Sequence, residues 1–328
     1  MAAPTYSIVI PIHDEQESLR ELHERLTAVF PLLDGGAEVI LVDDGSRDLS
    51  YPVMLELHRR DERFKVIHLT RNFGHQLAIT AGIDLAAGDA VILMDGDLQH
   101  PPELLPELAA RWREGYDVVF GVMTERPEGW LKRLTARGYY RLLRRLASIE
   151  IPAAAGDFRL ADRRVIEAFR AMPERNRFVR GMFAWLGFSQ IGVPYVVPAR
   201  FAGRSKYTLR KMLRLATDGL VSFSTAPLRL ALDIGFVVSG LSFLFGIATL
   251  ISKFAGALLV PGWLTIVLVT SFIGGIQLIV IGVVGEYVGR IYDEVKARPL
   301  YLVHDLHGFG EDAAPHRQLR PPADVPSP

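Results

Sequence analysis

The sequence predicts an α/β domain with a mostly parallel sheet, joined to two apolar helices that are long enough to cross a membrane. In the N-terminal part, apolar runs typical of buried strands alternate with amphipathic helical patterns at a spacing of about 30 residues. Nearer the C-terminal end, Asp233 and Lys253 are the only charged residues between Leu230 and Gly285. The chain therefore combines a domain of the soluble type with a membrane segment.

Five strands and four helices are predicted in the N-terminal domain. The strands are Tyr6–Ile12, Glu38–Val42, Phe64–Leu69, Ala90–Met94 and Asp117–Val122, and the helices are Glu15–Phe30, Tyr51–Arg60, Gln76–Ala86 and Pro102–Glu114. Parallel strands joined by helices are buried on both faces, which explains why each strand is a continuous apolar run. Ligands of such sheets bind outside the carboxyl ends of the strands. The residues that follow each strand are therefore the candidates for a binding site.

Carboxylates follow three of these strands. They are Asp14 and Glu15 after the first strand, Asp43 and Asp44 after the second, and Asp95 and Asp97 after the fourth. The glycine patterns of a dinucleotide-binding domain and of a P-loop are both absent. A site lined with acids can hold a nucleotide diphosphate when a divalent cation bridges the carboxylate and phosphate oxygens. Gly96, between two of the acids, allows the backbone to approach a ligand closely.

An Asp-x-Asp sequence taken alone is weak evidence for a metal site, because a solvated turn or a helix cap is the commoner reason for it. Here it directly follows a buried strand, and acids follow two other strands, which favours a site for a metal and a nucleotide. An aspartyl phosphatase also has Asp-x-Asp after a strand, but that reading expects the motif near the first strand rather than the fourth.

The composition excludes several classes of protein. The chain has no cysteine, which excludes disulfide scaffolds, cysteine zinc sites, iron–sulfur clusters and thiol catalysis. Its 37 basic and 37 acidic residues give a formal net charge of zero, which argues against binding to nucleic acid or another polyanion through overall charge. The net charge does not exclude local basic patches that bind anions.

Two transmembrane helices are predicted, at about 234–252 and 263–285, with a turn at Pro261-Gly262 between them. Roughly 20 helical residues cross a hydrocarbon core, and such long uncharged runs are rare in buried core helices, which are the alternative. Basic residues flank the pair on both sides, so the positive-inside rule predicts that both termini and the N-terminal domain are cytoplasmic. These residues are Arg210, Lys211, Arg214 and Arg229 before the pair and Arg290, Lys296 and Arg298 after it.

Basic amphipathic patterns over Trp130–Leu146 and Lys206–Phe223 are typical of helices at an anionic membrane surface. Packing of these helices against the N-terminal domain is the alternative. The domain organisation that follows is an N-terminal domain at 1–204, juxtamembrane amphipathic helices at 205–228 and the transmembrane part at 229–290.

Residues 291–328 are expected to form a cytoplasmic tail with a disordered end, because five prolines lie in the last 18 residues. No signal peptide is predicted, since strand-like sequence follows Pro4 directly.

Five ordered motifs give the chain a specific resemblance. They are VIPIHDE at Val9–Glu15, VDDGS at Val42–Ser46, DGDLQHPPE at Asp95–Glu103, GDFRL at Gly156–Leu160 and RFAGRSKY at Arg200–Tyr207. Together with the apolar pair and GEYVGRIY at Gly285–Tyr292, they cover the chain from about Tyr6 to Leu302. This pattern resembles the membrane-anchored polyprenyl-phosphate glycosyltransferases of family 2, which have the GT-A fold. Within them it is most similar to bactoprenol glucosyltransferases and, more distantly, to dolichol-phosphate mannose synthase.

The resemblance implies roles for the residues that match the family's motifs. Donor binding would fall to Pro11, His13, Glu15, Val42, Asp44, Asp95 and Gly96, and Mg²⁺ or Mn²⁺ binding to Asp97, Gln99 and Asp95. The acceptor and its phosphate would be bound by Arg126, Arg200, Arg204, Ser205 and Lys206. Asp157 would be the catalytic carboxylate, with Arg159 as its candidate ion-pair partner.

The chain departs from the family's motifs in two places. His13-Asp14 replaces a common Tyr-Asn pair, which puts the contact with the base or ribose in doubt. Val122-Met123 stands where relatives often have an arginine, and Arg126 is the candidate replacement.

The activity implied is inverting transfer of a hexose from a nucleotide-diphosphate sugar to undecaprenyl phosphate at the cytoplasmic face of the inner membrane. UDP-glucose is the first expectation for the donor, and GDP-mannose or another UDP-sugar is the alternative. The oligomeric state is left open by the sequence, and a homo-oligomer formed through the apolar helices is one alternative. A different class of function is a membrane scaffold with a degenerate transferase domain, which the acids at three strand ends disfavour. A processive polysaccharide synthase ranks last, because Gln-x-x-Arg-Trp is absent.

Overall fold

A computed structural model describes residues 4–125, 155–196, 226–254 and 262–310 of the chain. The chain divides into two compact units. The first contains the N-terminal part and the residues after Pro299, and the second contains the two long apolar helices. The predicted amphipathic helices at 130–146 and 206–223 lie outside the described residues.

The described part of the first unit is built on one eight-stranded sheet. Its strands are β1 (Tyr6–Ile12), β2 (Ala37–Asp43), β3 (Phe64–Leu69), β4 (Ala90–Leu93), β5 (Val118–Glu125), β6 (Ala155–Asp162), β7 (Gln190–Val196) and β8 (Val303–His307). Its helices are α1 (Leu19–Val29), α2 (Ser50–Arg60), α3 (His75–Leu85), α4 (Leu105–Arg113), α5 (Arg163–Arg170) and α6 (Val179–Trp185). Short 3₁₀ turns at Phe30–Leu32 and Pro102–Leu104 adjoin α1 and α4.

The strand order is β7-β5-β6-β4-β1-β2-β3-β8. The pairs β1–β2, β2–β3, β1–β4 and β5–β7 are parallel. Two strands run the other way, because β6 is antiparallel to β4 and β5 and β8 is antiparallel to β3. The predicted fold class, an α/β domain with a mostly parallel sheet, is therefore confirmed.

Helices follow the strands as their apolar patterns predict. Every residue of β1 is buried, and the buried faces of α1 and α2 are lined by leucines, valine and methionine at helical spacing. The first helix begins at Leu19, four residues later than the Glu15 that the sequence predicts. The physical reason is that the backbone N–H groups of Asp14 and Glu15 donate to the side chains of Ser46, in the β2–α2 connection, and Ser50, the first residue of α2. These hydrogen bonds hold the intervening residues as a loop.

Gly45 allows two of the loops at the carboxyl edge to meet. It has a φ of 62°, in the left-handed region that favours glycine, and a Cβ there would lie 2.5 Å from backbone atoms of Arg71 and Asn72. The loop after β2 and the loop after β3 therefore pack backbone against backbone. A larger residue at this position would separate them.

The C-terminal segment also differs from its prediction as a tail, because Val303–His307 forms β8 at the sheet edge beside β3. Val303 is buried, and the backbone N–H of Thr70 donates to Leu302 O at 3.0 Å. The Tyr301 hydroxyl donates to Asp84 Oδ2 at 2.7 Å, and burial raises the pKa of this phenol. The segment after position 299 is thus part of the first unit.

The second unit contains α7 (Ala226–Phe254) and α8 (Trp263–Lys296), which pack against each other. The predicted spans at 234–252 and 263–285 fall inside these helices. Leu228–Phe245 and Phe272–Lys296 are long and apolar enough to cross a membrane. Large apolar side chains on both helices, Phe236 and Leu278 among them, are exposed. That exposure disfavours the alternative of buried core helices, since soluble proteins rarely expose apolar surface of this extent.

Candidate active site

The candidate site lies where the carboxyl ends of the central strands meet. Ile12 of β1 pairs with Asp43 of β2, and Val9 of β1 pairs with Leu93 of β4, so the loops after these strands leave the same edge of the sheet. The antiparallel pairing of Leu93 with Arg159 brings β6 past the end of β4. This register places Asp157 beside the Asp95-Gly96-Asp97 loop.

Asp157 forms a bidentate ion pair with Arg180, which is the second residue of α6. Arg180 Nε donates to Asp157 Oδ1 at 2.7 Å and its Nη2 donates to Oδ2 at 2.9 Å. The Asp157 side chain is 8% exposed. Burial by itself raises the pKa of the Asp157 carboxyl, but the charges and hydrogen bonds of Arg180 and His75 outweigh burial and hold this pKa well below its usual range. Asp157 is therefore a fixed, ionised carboxylate.

The expected ion pair of Asp157 with Arg159 is wrong. Arg159 lies on the same face of β6 but donates from Nη2 to Gly156 O at 2.8 Å, and its guanidinium lies 4.8 Å from the centre of the Phe183 ring. Burial lowers the pKa of Arg159 to about 10. The Arg159 side chain thus supports the β6 backbone at Gly156, and Arg180 supplies the ion pair.

His75, the first residue of α3, lies between two of the acids. Its Nε2 is 3.5 Å from Asp95 Oδ1 and 3.6 Å from Asp157 Oδ2, and its side chain is 37% exposed. Burial by itself lowers the pKa of the imidazole, but the carboxylates of Asp157 and Asp95 outweigh it and raise the pKa to about 9. His75 therefore links the loop after β4 to β6.

This link predicts a pH-dependent contribution to stability. Because the pKa of His75 is raised in the folded state from 6.5 to about 9, its stabilising contribution is complete below pH 6.5 and is lost as the pH rises through about 9. We expect the melting temperature of the wild type to exceed that of His75→Gln at pH 6, and the difference to shrink by pH 10. Differential scanning calorimetry without divalent cations measures it. A difference that stays constant with pH would contradict this assignment.

His100 braces the Asp95-Gly96-Asp97 loop. Its Nδ1 accepts the backbone N–H of Asp95 at 2.9 Å, and its buried ring stacks on Phe158 with ring centres 4.9 Å apart. A Cβ at Gly96 would overlap the Ile12 side chain, so glycine allows this loop to lie against β1. The loop thereby holds a fixed position at the sheet edge.

The residues of this loop fit a hard divalent cation. Asp95 and Asp97 are partly exposed, and Asp97 Oδ1 also accepts the backbone N–H of Gln99 at 3.1 Å. Carboxylate and amide oxygens are ligands that suit Mg²⁺ and Mn²⁺. Within the described ranges, no group of three or more His, Asp or Glu side chains is arranged to hold a metal by itself. Two carboxylates fit a site in which the phosphates of a bound substrate would supply further ligands of the cation.

A second group of predicted residues surrounds Asp44. Its carboxylate is buried and accepts the backbone N–H of Phe73 at 2.6 Å and that of Gly74 at 2.9 Å. Burial raises the pKa of Asp44, and these two hydrogen bonds oppose the rise. His13 Nδ1 lies 2.9 Å from the Asp44 carbonyl oxygen, and the ring also meets the side chain of Asn72. Asp44 thus orders the loop that leads into His75.

Other predicted residues take different positions. Pro11 and Val42 are buried partners in the β1–β2 register and lie beneath the loops, and Glu15 is in the loop held by Ser50. Five predicted residues lie outside the described part of the chain: Arg126, Arg200, Arg204, Ser205 and Lys206.

Sequence reasoning missed four residues of this edge, namely Asn72, His75, His100 and Arg180. The signal for His75 and Asn72 is their position directly after the third strand, in a loop that carries no acid. His100 lies inside the motif Asp95–Glu103. Arg180 has no comparable signal, because it meets Asp157 from an element 23 residues away.

Comparisons with known proteins identify the family of the chain. The family model for glycosyl transferase family 2 matches residues 7–170. An uncharacterized glycosyltransferase of Bacillus subtilis (strain 168), YkcC, is 44% identical over 305 residues, which are 93% of this chain and 94% of that protein. The bactoprenol glucosyl transferase of Shigella phage SfII is 39% identical over 302 residues, which are 92% of this chain and 98% of that protein.

Among solved structures, glucosyl-3-phosphoglycerate synthase from Mycobacterium tuberculosis is similar over part of the chain. Its complex with Mn²⁺, UDP-glucose and phosphoglyceric acid has a TM-score of 0.47 and 20% sequence identity, and the match covers 67% of this chain and 80% of that chain. The classification rests on the family model and on the two relatives, whose matches extend over nearly the whole chain. The chain belongs to glycosyl transferase family 2 and is a glycosyltransferase.

Proposed function

We propose that the protein transfers a hexose from a nucleotide-diphosphate sugar, UDP-glucose in the first place, to the phosphate of a polyprenol such as undecaprenyl phosphate. The observation that carries this proposal is the meeting of the Asp95-Gly96-Asp97 loop with the ion-paired Asp157 at the carboxyl edge of the sheet. Support for the lipid acceptor comes from the 39% identity with a bactoprenol glucosyl transferase over 92% of the chain.

The acceptor phosphate needs little help from a base. A phosphate monoester has a second pKa near 6, by analogy with phosphorylated side chains, so it is largely dianionic at neutral pH and is already a nucleophile. The difficulty is electrostatic, because the acceptor phosphate must approach a diphosphate at an edge that carries carboxylates. Binding and charge compensation are therefore the main tasks of the protein.

Asp97, Asp95 and Gln99 would hold Mg²⁺ or Mn²⁺ at the donor diphosphate. When bound, the cation supplies Lewis-acid stabilisation of the leaving diphosphate. His100 and Gly96 keep this loop against β1, so the two carboxylates are positioned before the donor arrives.

Asp157 orients the acceptor in this proposal. Two functions were open from the sequence, removal of a proton from the acceptor and orientation of it. The bidentate pair with Arg180 and the depressed pKa favour orientation, because such a carboxylate is a poor proton acceptor. Arg126, Arg200, Arg204, Ser205 and Lys206 are proposed to bind the phosphates.

A single displacement by the acceptor phosphate would invert the anomeric carbon and give a β-linked product from an α-linked donor. The proposed site of the reaction is the cytoplasmic face of the inner membrane, with α7 and α8 crossing the bilayer and both termini cytoplasmic. Their length, their apolar surface and the basic residues on both sides support this topology.

The test is a transfer assay with the purified full chain in detergent micelles, undecaprenyl phosphate, Mn²⁺ or Mg²⁺ and a panel of nucleotide sugars. We expect mass spectrometry to show a hexosyl lipid phosphate with UDP-glucose, and mild acid to cleave the product. A product with GDP-mannose instead would replace the donor and keep the acceptor. Transfer to a protein or to another sugar would reject the acceptor, and no transfer with any donor would favour the scaffold alternative.

A further inference from the structure

Arg180 lies where three elements meet at the candidate site. It lies in the first turn of α6, and its guanidinium grips Asp157 of β6 through two parallel hydrogen bonds. The preceding residue, Val179, donates its backbone N–H to Gln76 Oε1 at 2.9 Å. Gln76 follows His75 at the start of α3, and His75 lies 3.5 Å from Asp95. The contacts that join α3, α6 and β6 are therefore next to the Asp95-Gly96-Asp97 loop.

The pair has a geometry that fixes both partners. A bidentate contact between a guanidinium and a carboxylate holds the two planes together, and it is more specific than a contact with an ammonium group. The Asp157 side chain is 8% exposed and the Arg180 side chain 28% exposed, so the pair is only partly screened by water. Arg159, a buried arginine two residues from Asp157, is engaged with Gly156 O and the Phe183 ring.

The charge of Asp157 is a problem for an incoming phosphate unless a cation compensates it. Asp95 and Asp157 both lie within 3.6 Å of the same His75 nitrogen, so two carboxylates face one small space. An acceptor phosphate adds at least one further negative charge there. Removal of Arg180 would take away the two short hydrogen bonds that fix Asp157 and would leave it the more distant contact with His75, which Asp95 shares. Asp157 would then be less fixed and less compensated, and both changes act against the acceptor more than against the donor.

We propose that Arg180 is a positioning residue for sugar transfer, which holds Asp157 in place and neutralises it so that the acceptor phosphate can bind. This inference rests on the proposed function for the identity of the acceptor. Arg180 acts through Asp157 and not by contact with the reacting atoms. The ion pair itself exists without any substrate, so part of the test needs none.

The kinetic test compares Arg180→Gln and Arg180→Lys with the wild type in the full chain. We expect Arg180→Gln to raise the KM for undecaprenyl phosphate by about tenfold or more, and the KM for the sugar donor by less than about twofold. Arg180→Lys keeps a positive charge but lacks the planar guanidinium that forms two parallel hydrogen bonds. Its KM for undecaprenyl phosphate should lie between those of the wild type and Arg180→Gln. Equal changes in both KM values would show a merely structural role and overturn the proposal.

The matched control is Arg177→Gln, three residues earlier. Arg177 donates to the backbone carbonyls of Met172 and Glu174 and lies over the Phe169 ring, so its loss should lower the melting temperature and leave the ratio of the two KM values unchanged. A double mutant shows whether Arg180 acts through its partner. In an Asp157→Asn background, Arg180→Gln should change the acceptor KM by less than about twofold, since coupled residues are not additive. Additive effects would contradict the proposal.

Chemical rescue tests the pair independently of turnover. Arg180→Ala opens a space beside a buried carboxylate, and millimolar guanidinium should raise its melting temperature, with a smaller rise in Arg180→Ala/Asp157→Asn. The absence of that difference overturns the inference even if the wild type transfers sugar to the lipid. If the wild type transfers no sugar but guanidinium clearly rescues Arg180→Ala, the proposed function is rejected. In that case the conclusion that Arg180 holds Asp157 still stands.

Discussion

Asp97→Asn is expected to lower kcat/KM for sugar transfer by about 10³-fold or more, because it removes a charged ligand from the cation that stabilises the leaving diphosphate. The folded structure should survive. Asp97 is partly exposed, and the side-chain oxygen of asparagine can still accept the backbone N–H of Gln99. Initial rates over a range of Mn²⁺ concentrations, with a melting curve for each protein, measure both effects.

Removal of the metal from the wild type should have the same effect on transfer as Asp97→Asn. A chelator should abolish transfer by the wild type, and added Mn²⁺ should restore it in the wild type and in the control, but not in Asp97→Asn. The control is Glu107→Gln, which removes a carboxylate from the exposed face of α4. Full turnover by Asp97→Asn at saturating metal would eliminate the proposed metal role.

Ending the chain after Pro299 is expected to lower the melting temperature of the first unit by about 10 °C or more. The truncation removes β8, the buried Val303 and the hydrogen bonds of Tyr301 and Leu302, which together contribute on the order of 5 kcal/mol. It also turns β3 into an exposed edge strand. Hydrogen exchange of the β3 amides should become faster.

The matched control ends the chain after Gly310, which keeps β8 and removes residues 311–328 only. We expect its melting temperature to equal that of the full chain. If both truncated proteins melted together with the full chain, β8 would contribute nothing to the stability of the sheet.

The sequence predicted the part of the fold that repeats. The strands from β1 to β5 are apolar runs at regular spacing, and three of them, β1, β2 and β4, are buried on both faces, so pattern alone located them. The antiparallel β6 and the edge strands β7 and β8 were missed. The run Val303–His307 has only five residues, and three of them are polar, so nothing local separates it from a tail.

The site shows the same division. The acids at the ends of β1, β2 and β4 follow from one rule about parallel sheets, and the structure places them at one edge. His75 gives no such signal, because it is a histidine that follows the one helix-linked strand end without an adjacent acid. The candidate partner of Asp157 was Arg159, which is near it in the chain, whereas the actual pair joins β6 to α6. Contacts between distant elements depend on tertiary packing, which a single sequence does not display.

The position of β8 has a consequence for how the protein is made. Translation proceeds from the N-terminus, so β8 leaves the ribosome after both α7 and α8 have been synthesised. Until then, the last place in the sheet beside β3 is empty. The complete sheet of the first unit therefore exists only in chains in which both apolar helices have already been synthesised.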